Sequence, residues 1–493
     1  MTKSDKEQPK PNVEDTKCRS CKRIEWVTFS MPRKLNSFIY SRRNLLIAII
    51  SAVISYFLLS GQPEMVRRVT ATFTFAAGCW ILEVFPLPIT GLMIPVLLSL
   101  LGVFSPQQSF APFSNSIIFL MIGGLVLGQA IKKHGLDTWI GYNLITYSKG
   151  KIDRLILLTM LATAFISMWM SNTVAIAVIL PVALSILTAI PEQLVNLRKK
   201  MLLGISISTS IGGMAMLTGS TPAMIAAGLL EQTNNFGFLQ WAYYGLPVSI
   251  SSLAIAFLVL KKMFPSPKLT LNLDEVLAQK KQAERFSSSQ KKVIAVFLGT
   301  IILWFMGGQI EQALGISASI SSAALVSIMA VLVMFGSNLL DLRDLQSIQW
   351  ELIFLVGGGL LLGEAMIASG AAGQISDALF SFNSVAPLIV LPLLFGVISL
   401  VLTNFISNSA TGAMMIPIAI ETSRLLGITP VPFVMAVALS AIIAFITPVG
   451  VPSTALVYST GRVSKGELIK AGAAIALPTL MISLLAVWLL PPP

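Results

Sequence analysis

Apolar segments separated by short polar ones make up almost the whole chain after residue 43. Many of these segments have the roughly 20 residues that a helix needs to cross a bilayer. They predict spans near residues 44–60, 68–85, 88–104, 115–132, 200–230, 242–261, 292–309, 317–336, 351–368, 430–459 and 468–490. The pattern therefore predicts an all-α polytopic membrane protein with about eleven transmembrane helices.

Two further apolar segments, 154–190 and 385–425, are too long for one span, and each has a polar triplet near its centre. The triplets are Ser171–Thr173 (Ser-Asn-Thr) and Ser407–Ser409 (Ser-Asn-Ser). A single triplet can be satisfied by bonds to its own helix carbonyls, but two matching triplets surrounded by apolar residues favour a paired site. We interpret each segment as a re-entrant hairpin with its triplet at the tip. There the N–H groups that begin the second arm can bind an anion.

The two halves of the chain are similar in sequence. Residues 116–128 (SIIFLMIGGLVLG) match residues 351–363 (ELIFLVGGGLLLG) at an offset of 235, and the triplets are 236 residues apart. A near-constant offset over this distance indicates an internal duplication. Basic residues, among them Lys132 and Lys133, precede the first triplet, whereas residues 364–406 contain no Lys or Arg. By the positive-inside rule the triplets are approached from opposite sides of the membrane, which predicts an inverted repeat.

Charge also predicts the domain organisation. Residues 1–43 are polar, and Arg42 and Arg43 orient the first span from the inside, so we expect a disordered cytosolic tail. The expected domains are a first repeat at 44–260 with its hairpin at 154–190, a cytosolic connector at 261–292, and a second repeat at 293–493 with its hairpin at 385–425. The predicted location is the plasma (inner) membrane, crossed many times, with the N-terminus in the cytosol.

Composition excludes several other classes of protein. The 493 residues are 55% hydrophobic and 11% charged, with a mean hydropathy of +0.81. The net charge of +12 comes from Lys and Arg between apolar segments, which indicates membrane orientation and not nucleic-acid binding. The three cysteines, Cys18, Cys21 and Cys79, and the single His134 are too few for a zinc or His-based catalytic site. A serine hydrolase would need a Lys or His base near its nucleophile, so we expect no catalytic residue and no enzyme.

Downstream of each triplet, Gly, Pro and hydroxyl residues interrupt a predicted span. The interruptions are residues 212–223 (GGMAMLTGSTPA) and 446–455 (ITPVGVPSTA). Either one alone would be read as a proline kink closed by neighbouring helices. As a matched pair they predict unwound backbone whose freed carbonyl oxygens bind a cation. Oxygen ligands suit a hard cation, and the lack of His and Cys argues against zinc or copper.

These motifs resemble those of the divalent anion:sodium symporter family, which includes the sodium-coupled dicarboxylate, citrate and sulfate carriers. The resemblance rests on the two triplets, on residues 83–90 (EVFPLPIT) and on the two interruptions, and it covers about residues 70–490. It implies a homodimer of eleven-span protomers with two opposed re-entrant hairpins. It further implies an elevator movement of a transport domain against a fixed scaffold, and one sodium site per hairpin with the anion between them.

The resemblance also implies which residues bind these ligands. The first sodium site would use Ser167, Ser171, Asn172 and the carbonyl of Gly219, and the second would use Thr403, the carbonyl of Ile406, Asn408 and the carbonyl of Gly450. The anion would contact Ser171, Asn172, Thr173, Ser407, Asn408, Ser409 and Pro452. Ser409 stands where the family usually has threonine, a change that bears on the identity of the substrate.

The absence of Lys, Arg and His from these ligand sets predicts the mode of transport. A dianion near the midplane without positive partners would be very unfavourable, so bound sodium ions and helix N-termini must supply the charge. We therefore expect sodium-coupled symport of a C4-dicarboxylate such as succinate, malate or fumarate. The alternatives are sodium:sulfate symport and sodium-independent exchange of dicarboxylates or 2-oxoglutarate. An exchanger would be expected to place a basic side chain in a cation site.

Overall fold

The computed structural model describes residues 36–188, 190–234, 236–267, 270, 287–315, 322–374 and 387–490. By its contacts the chain divides into residues 1–43 and residues 44–493, and the site described below lies in the second unit. The predicted cytosolic tail, with Cys18 and Cys21, lies almost wholly outside the described residues, as does much of the predicted connector.

Regular structure in the described part of the chain is helical, with one isolated bridge between Lys151 and Thr270 and no strand. The first half contains α1 (Asn36–Leu58), α2 (Glu64–Ile81), α3 (Leu87–Leu100), α4 (Pro106–Phe110), α5 (Ser116–Lys133), α6 (Leu136–Ser148), α7 (Ile152–Trp169), α8 (Asn172–Thr188), α9 (Val195–Ala215), α10 (Thr221–Asn234) and α11 (Phe238–Met263). The second half contains α12 (Ser288–Leu314), α13 (Ala323–Gly336), α14 (Leu342–Gln346), α15 (Glu351–Ser369), α16 (Pro387–Phe405), α17 (Asn408–Leu425), α18 (Pro430–Ile442), α19 (Pro452–Ser459) and α20 (Lys465–Leu489). The predicted all-α fold class is confirmed.

Many of these helices are suited to a lipid environment. Within the described ranges, six helices are long and apolar enough to cross a membrane, namely α5, α7, α11, α12, α15 and α20. Shorter apolar helices, among them α3, α8, α13 and α18, lie between them in the chain. Large apolar side chains are exposed along one face of α12, where Leu298, Ile302 and Met306 follow at four-residue spacing. An exposed apolar stripe of this kind is typical of a helix that faces lipid.

The helices of the two halves recur at a near-constant offset. α13, α14, α15, α16 and α17 begin 235 or 236 residues after α3, α4, α5, α7 and α8, respectively. Equivalent helices also pack against equivalent partners in the other half, since α5 packs against α13 and α15 packs against α3. A Cβ on Gly358 would lie 2.3 Å from the Gly91 carbonyl oxygen, so glycine is what lets α3 and α15 approach closely. An internal duplication produces this arrangement, while the inverted orientation of the halves stays a prediction.

Both segments interpreted as hairpins consist of two helices separated at the triplet. The break between α7 and α8 is at residues 170–171, and that between α16 and α17 is at residues 406–407. In each pair the two helices pack against each other. The backbone is extended at the break, with φ/ψ of −128°/158° at Met170 and −67°/148° at Ser407. The triplets therefore lie where backbone groups have no helical partner.

Some elements differ from the pattern that the sequence indicates. The span expected at 200–230 is divided into α9 and α10, and the span expected at 430–459 into α18 and α19. This agrees with unwound backbone at the Gly- and Pro-rich interruptions. The hydropathy pattern does not predict α6, because its sequence mixes polar and apolar residues without a long apolar run. α11 continues to Met263 and α12 begins at Ser288, so helix extends into both ends of the predicted connector at 261–292, and the division into domains stays a prediction.

Candidate functional site

A cavity of about 560 Å³ lies where four helices begin. The first residues of α8, α10, α17 and α19 line it, so both triplets and both unwound segments meet at one place. These elements contribute Ser171, Asn172, Thr173, Thr218, Gly219, Ser220, Thr221, Met224, Ser407, Asn408, Ser409, Pro448, Val449, Gly450, Val451, Pro452 and Ala455. Every residue predicted to contact the anion is among them.

Local sequence explains why helices begin at this cavity. The Ser407 hydroxyl caps α17 by accepting a hydrogen bond from the Ala410 N–H at 3.1 Å. Pro222 and Pro452 occupy the first turns of α10 and α19, where a missing N–H costs the helix no internal bond. Each helix N-terminus carries about half a positive elementary charge. Four of them at one cavity form a site that attracts anions.

The rest of the cavity wall comes from the turn between α2 and α3, from α5 and from the start of α15. Its residues are Glu83, Leu87, Pro88, Leu125, Gln349, Glu351, Leu352 and Leu355. Glu83 has a positive φ of 50°, a conformation that residues other than glycine seldom adopt. Among the described residues that line the cavity, none is Lys, Arg or His. Because two carboxylates and no basic side chain face it, positive charge there has to come from helix ends or bound cations.

Oxygen atoms crowd around Gly219 behind the first triplet. A Cβ on Gly219 would lie 2.8 Å from the Ser167 carbonyl oxygen and 2.9 Å from that of Gly213. A Cβ on Gly213 would lie 2.7 Å from Asn172 Oδ1. The Ser167 hydroxyl is within donating distance of both Asn172 Oδ1, at 2.9 Å, and the Thr209 carbonyl oxygen, at 2.7 Å. Ser167 and Gly213 are in the last turns of α7 and α9, so their carbonyls have no partner within the helix.

An equivalent cluster of oxygen atoms surrounds Gly450 behind the second triplet. A Cβ on Gly450 would lie 2.6 Å from the Thr403 carbonyl oxygen and 2.8 Å from that of Ala444. The Asn408 N–H donates to the Gly450 carbonyl oxygen at 3.4 Å. The buried Thr403 hydroxyl donates to the Ala441 carbonyl oxygen. Each cluster thus joins the last turn of one helix to an unwound segment. The last turns are those of α7 and α16, and the unwound segments follow α9 and α18.

Asn404 holds the second unwound segment in place. It is buried, and its Nδ2 donates to the Ile443 carbonyl oxygen at 2.9 Å. Its Oδ1 accepts from the Ile446 N–H at 2.8 Å, and its carbonyl oxygen accepts from the Thr447 hydroxyl. These bonds replace the helical ones that the break between α18 and α19 removes. They fix the carbonyls around Gly450 in one arrangement.

The residues predicted to bind sodium lie in two layers. Those that line the cavity are Ser171, Asn172, Gly219, Asn408 and Gly450. Ser167 and Thr403 are fully buried behind them. Ile406 is also buried, and its N–H donates to the Leu402 carbonyl oxygen, but the carbonyls that crowd Gly450 are those of Thr403 and Ala444.

Several residues of the site are not among the predicted ligands, and tertiary packing brings them to it. Glu83 and Gly213 lie in the motifs at 83–90 and 212–223 without having been assigned a role, and Gln349, Glu351, Asn404 and Ala444 lie outside the predicted motifs. The duplication offers a signal for Gly213 and Ala444, since each lies six residues before the glycine of its cluster. Within the described ranges, no group of three or more His, Cys, Asp or Glu could hold a metal ion.

Known proteins resemble the chain along most of its length. The model of the citrate transporter family (CitMHS) matches residues 77–427. An uncharacterized transporter of Methanocaldococcus jannaschii is 34% identical over 419 residues, which cover 85% of this chain and 92% of that relative. An uncharacterized transporter of Haemophilus influenzae is 31% identical over 453 residues, covering 90% and 96%. The sodium-dependent dicarboxylate transporter SdcS of Staphylococcus saprophyticus is 27% identical over 462 residues, covering 88% and 89%.

The fold is similar to that of the Alcanivorax borkumensis YdaH transporter, whose crystal structure reveals an unusual topology. The TM-score is 0.52 at 16% sequence identity, and the match covers 80% of this chain and 87% of that chain. At this identity the likeness concerns the fold alone.

Proposed function

This chain belongs to the citrate transporter family, and we propose that it carries a C4-dicarboxylate such as succinate, malate or fumarate into the cell together with sodium ions. It is a multi-pass membrane transporter and not an enzyme, and its family handles small anions. The charge of the cavity and the oxygen clusters beside it support the substrate class and the sodium coupling.

The meeting of four helix N-termini at a cavity without described basic lining residues is the observation that carries this proposal. At about half an elementary charge each, four N-termini offset roughly two negative charges. A C4-dicarboxylate carries that charge at neutral pH. The N–H groups of the helix ends, with the hydroxyls and amides of the two triplets, are donors that two carboxylates can accept from. A volume of about 560 Å³ is within the range of small-ligand sites.

The oxygen cluster around Gly219 supports sodium as the coupled ion. The Ser167 hydroxyl lies 2.9 Å from Asn172 Oδ1 and 2.7 Å from the Thr209 carbonyl oxygen, and its single proton can go to only one of them. The carbonyl oxygens of Ser167 and Gly213 lie beside the same glycine, so this place is rich in oxygen acceptors. Carbonyl, hydroxyl and amide oxygens suit a hard cation.

We extend the same reasoning to the cluster around Gly450 and infer one sodium ion at each cluster. The ligands inferred are Ser167, Ser171, Asn172 and Gly219 for the first ion, and Thr403, Ile406, Asn408 and Gly450 for the second. The carbonyls of Gly213 and Ala444 lie close enough to complete the two sets.

Coupling between anion and sodium follows from electrostatics. Glu83 and Glu351 line the cavity and repel a dianion. Sodium ions beside the two triplets offset this repulsion and raise the affinity for the anion. By thermodynamic reciprocity the bound anion raises the affinity for sodium by the same factor. Because neither binds well alone, the carrier moves them together.

The position of the cavity supports an elevator movement. The beginnings of α8, α10, α17 and α19, with the breaks that precede them, form one part of its wall, and α3, α5 and α15 contribute to the other. We propose that the broken helices belong to a transport domain that moves against a scaffold containing α3, α5, α13 and α15. We also propose a homodimer with about eleven crossings per protomer, located in the plasma membrane with the N-terminus in the cytosol.

Uptake into proteoliposomes tests the proposed function. Radiolabelled succinate should accumulate under an inward sodium gradient and should not when choline replaces sodium. The family description makes citrate the second candidate, so unlabelled citrate and sulfate are added as competitors. Full exchange of succinate in sodium-free buffer would identify an exchanger instead. Sodium-driven uptake of sulfate without uptake of succinate or citrate would identify a sulfate carrier.

A further inference from the structure

Gln349 is a polar, uncharged side chain of the cavity that belongs to neither triplet nor unwound segment. It lies between α14 and α15, in the part of the wall to which α3 and α5 contribute. Its Oε1 accepts a hydrogen bond from the Ser171 hydroxyl, at the break between α7 and α8. Gln349 and Ser171 also both line a small cavity of about 50 Å³. One side chain therefore connects the first triplet to the wall that contains α15.

The loop that carries Gln349 is fixed by its neighbours. Lys133, at the end of α5, donates to Asp344 at 2.5 Å. Burial alone would raise the pKa of Asp344, but the hydrogen bonds from Lys133, the Asp341 N–H and Gln129 together lower it below its ordinary value, so the carboxylate is charged at neutral pH. The Gln349 carbonyl oxygen accepts from the Leu352 N–H at 3.1 Å and so begins the next turn. A side chain on such a support is positioned before any ligand arrives.

The count of hydrogen-bond donors indicates what Gln349 does there. The Ser171 hydroxyl has a single proton, and because Gln349 Oε1 accepts it, Ser171 cannot donate it to an anion at the same time. The two hydrogens on Gln349 Nε2 have no acceptor among the residues that the structure describes. A carboxylate only accepts hydrogen bonds, and a primary amide offers two donors. Gln349 Nε2 can thus donate to an anion in place of the Ser171 hydroxyl.

We propose that Gln349 is a ligand of the transported anion, with Nε2 donating to a carboxylate while Oε1 holds the Ser171 hydroxyl. This inference rests on the proposed function, since it takes the anion to lie between the two triplets. It adds a ligand from outside the duplicated motifs, on the scaffold side of the cavity. The contact between anion and Gln349 must therefore break when the transport domain moves away from α15.

Substitution of Gln349 by a residue of the same length tests this role. Gln349→Glu keeps an oxygen that can accept from Ser171, but it removes both N–H donors and adds a negative charge. Gln349→Met removes the polar group without adding charge. Gln346→Glu is the matched control, because Gln346 is exposed at the end of α14 and lines neither cavity. Each purified variant is titrated with succinate and with citrate at saturating sodium, and its thermal unfolding is followed.

We expect the ligand concentration for half-maximal stabilisation to rise about tenfold or more for Gln349→Glu and about threefold for Gln349→Met. For Gln346→Glu it should change less than about twofold. In proteoliposomes Gln349→Glu should raise the KM for the anion while kcat stays within about twofold. An unchanged binding curve for Gln349→Glu, with or without a fall in kcat, would show that Gln349 only supports the loop.

The same titrations separate this inference from the proposed function. Wild-type protein that is stabilised by a carboxylate but shows no sodium-dependent uptake contradicts the proposed function alone, and the Gln349 variants then still test the ligand role. Wild-type protein that neither succinate nor citrate stabilises contradicts both.

Discussion

Ser167 and Ser409 are two serines of the site that we expect to serve different ligands. Ser167 is fully buried with its hydroxyl 2.7 Å from the Thr209 carbonyl oxygen, whereas Ser409 lines the cavity. Ser167→Ala removes a hydroxyl that we infer to be a sodium ligand, together with its hydrogen bond to the Thr209 carbonyl oxygen, a loss of roughly 1–3 kcal/mol. We expect it to raise the sodium concentration for half-maximal transport about tenfold. The apparent affinity for succinate should recover at saturating sodium.

Ser409→Ala is the matched substitution on the cavity side. The Ser409 hydroxyl lies 3.2 Å from Asn408 Oδ1 and faces the space where we place the anion. Its loss should weaken succinate binding at every sodium concentration. Sodium titrations of uptake at several succinate concentrations measure both effects. The proposed division between cation and anion ligands is wrong if the two variants shift these curves in the same manner.

Gly450 marks a position where any larger side chain would displace the predicted cation ligands. Its Cβ would lie 2.6 Å from the Thr403 carbonyl oxygen and 2.8 Å from that of Ala444. Gly450→Ala must push these carbonyls apart, so we expect the sodium concentration for half-maximal uptake to rise by about tenfold or more. Gly466→Ala, in the first turn of α20, is the control, because its Cβ would meet no atom within 4 Å. Wild-type sodium dependence in Gly450→Ala would mean that these carbonyls do not bind the ion.

The side chain of Asn404 holds the break between α18 and α19, whereas the equivalent break between α9 and α10 has Met168 at the matching position. Asn404 contacts the backbone of Ile443 and Ile446 through its side chain. The residue 236 positions earlier is Met168, and only its carbonyl oxygen takes part, accepting from the Thr218 hydroxyl at 2.9 Å. The two halves thus reach similar breaks by different hydrogen bonds.

Asn404→Leu should therefore destabilise the protein even without ligands. The substitution leaves the Ile446 N–H and the Ile443 carbonyl oxygen without their side-chain partner, at about 1–3 kcal/mol each. We expect the free energy of unfolding to fall by roughly 3 kcal/mol or more, measured as thermal unfolding of purified protein in detergent. Met168→Leu conserves volume and main-chain bonds, and it should cost less than about 1.5 kcal/mol. Equal effects of the two substitutions would show that the Asn404 side chain does not hold the break.

Elements with a repeated or strongly local signal were accessible from the sequence. The triplets and the Gly- and Pro-rich interruptions combine residues that helices in lipid seldom tolerate, and each occurs twice, so their breaks could be predicted. α6 carries no such signal, because it has neither a triplet nor an interruption and mixes polar and apolar residues without a long apolar run. Glu351 and Gln349 reach the cavity only because α15 packs against α3 and α17, a pairing that no local pattern specifies.

The duplicated architecture is suited to the proposed binding of ligands of opposite charge at one site. Helix N-termini carry partial positive charge and C-termini partial negative charge. An unbroken membrane helix places both ends at the surfaces, whereas a broken one brings an N-terminus and a C-terminus together inside the protein. Here the N-termini of α8, α10, α17 and α19 line the cavity, and the last carbonyls of α7, α9 and α16 lie in the oxygen clusters beside it.

The two halves of the protein are predicted to lie in opposite orientations in the membrane. Lys132 and Ala368 are 236 residues apart, occupy the last turns of α5 and α15, and are both exposed. By the distribution of basic residues, an inverted repeat places Lys132 on the cytosolic side and Ala368 on the outer side. Cysteine is introduced at each position after replacement of Cys18, Cys21 and Cys79, and a membrane-impermeant maleimide is applied to intact and to opened cells. We expect Ala368→Cys to react in intact cells and Lys132→Cys to react only after the cells are opened. Reaction of both from the same face would mean that the halves are parallel, and the hairpins would then enter the membrane from one side.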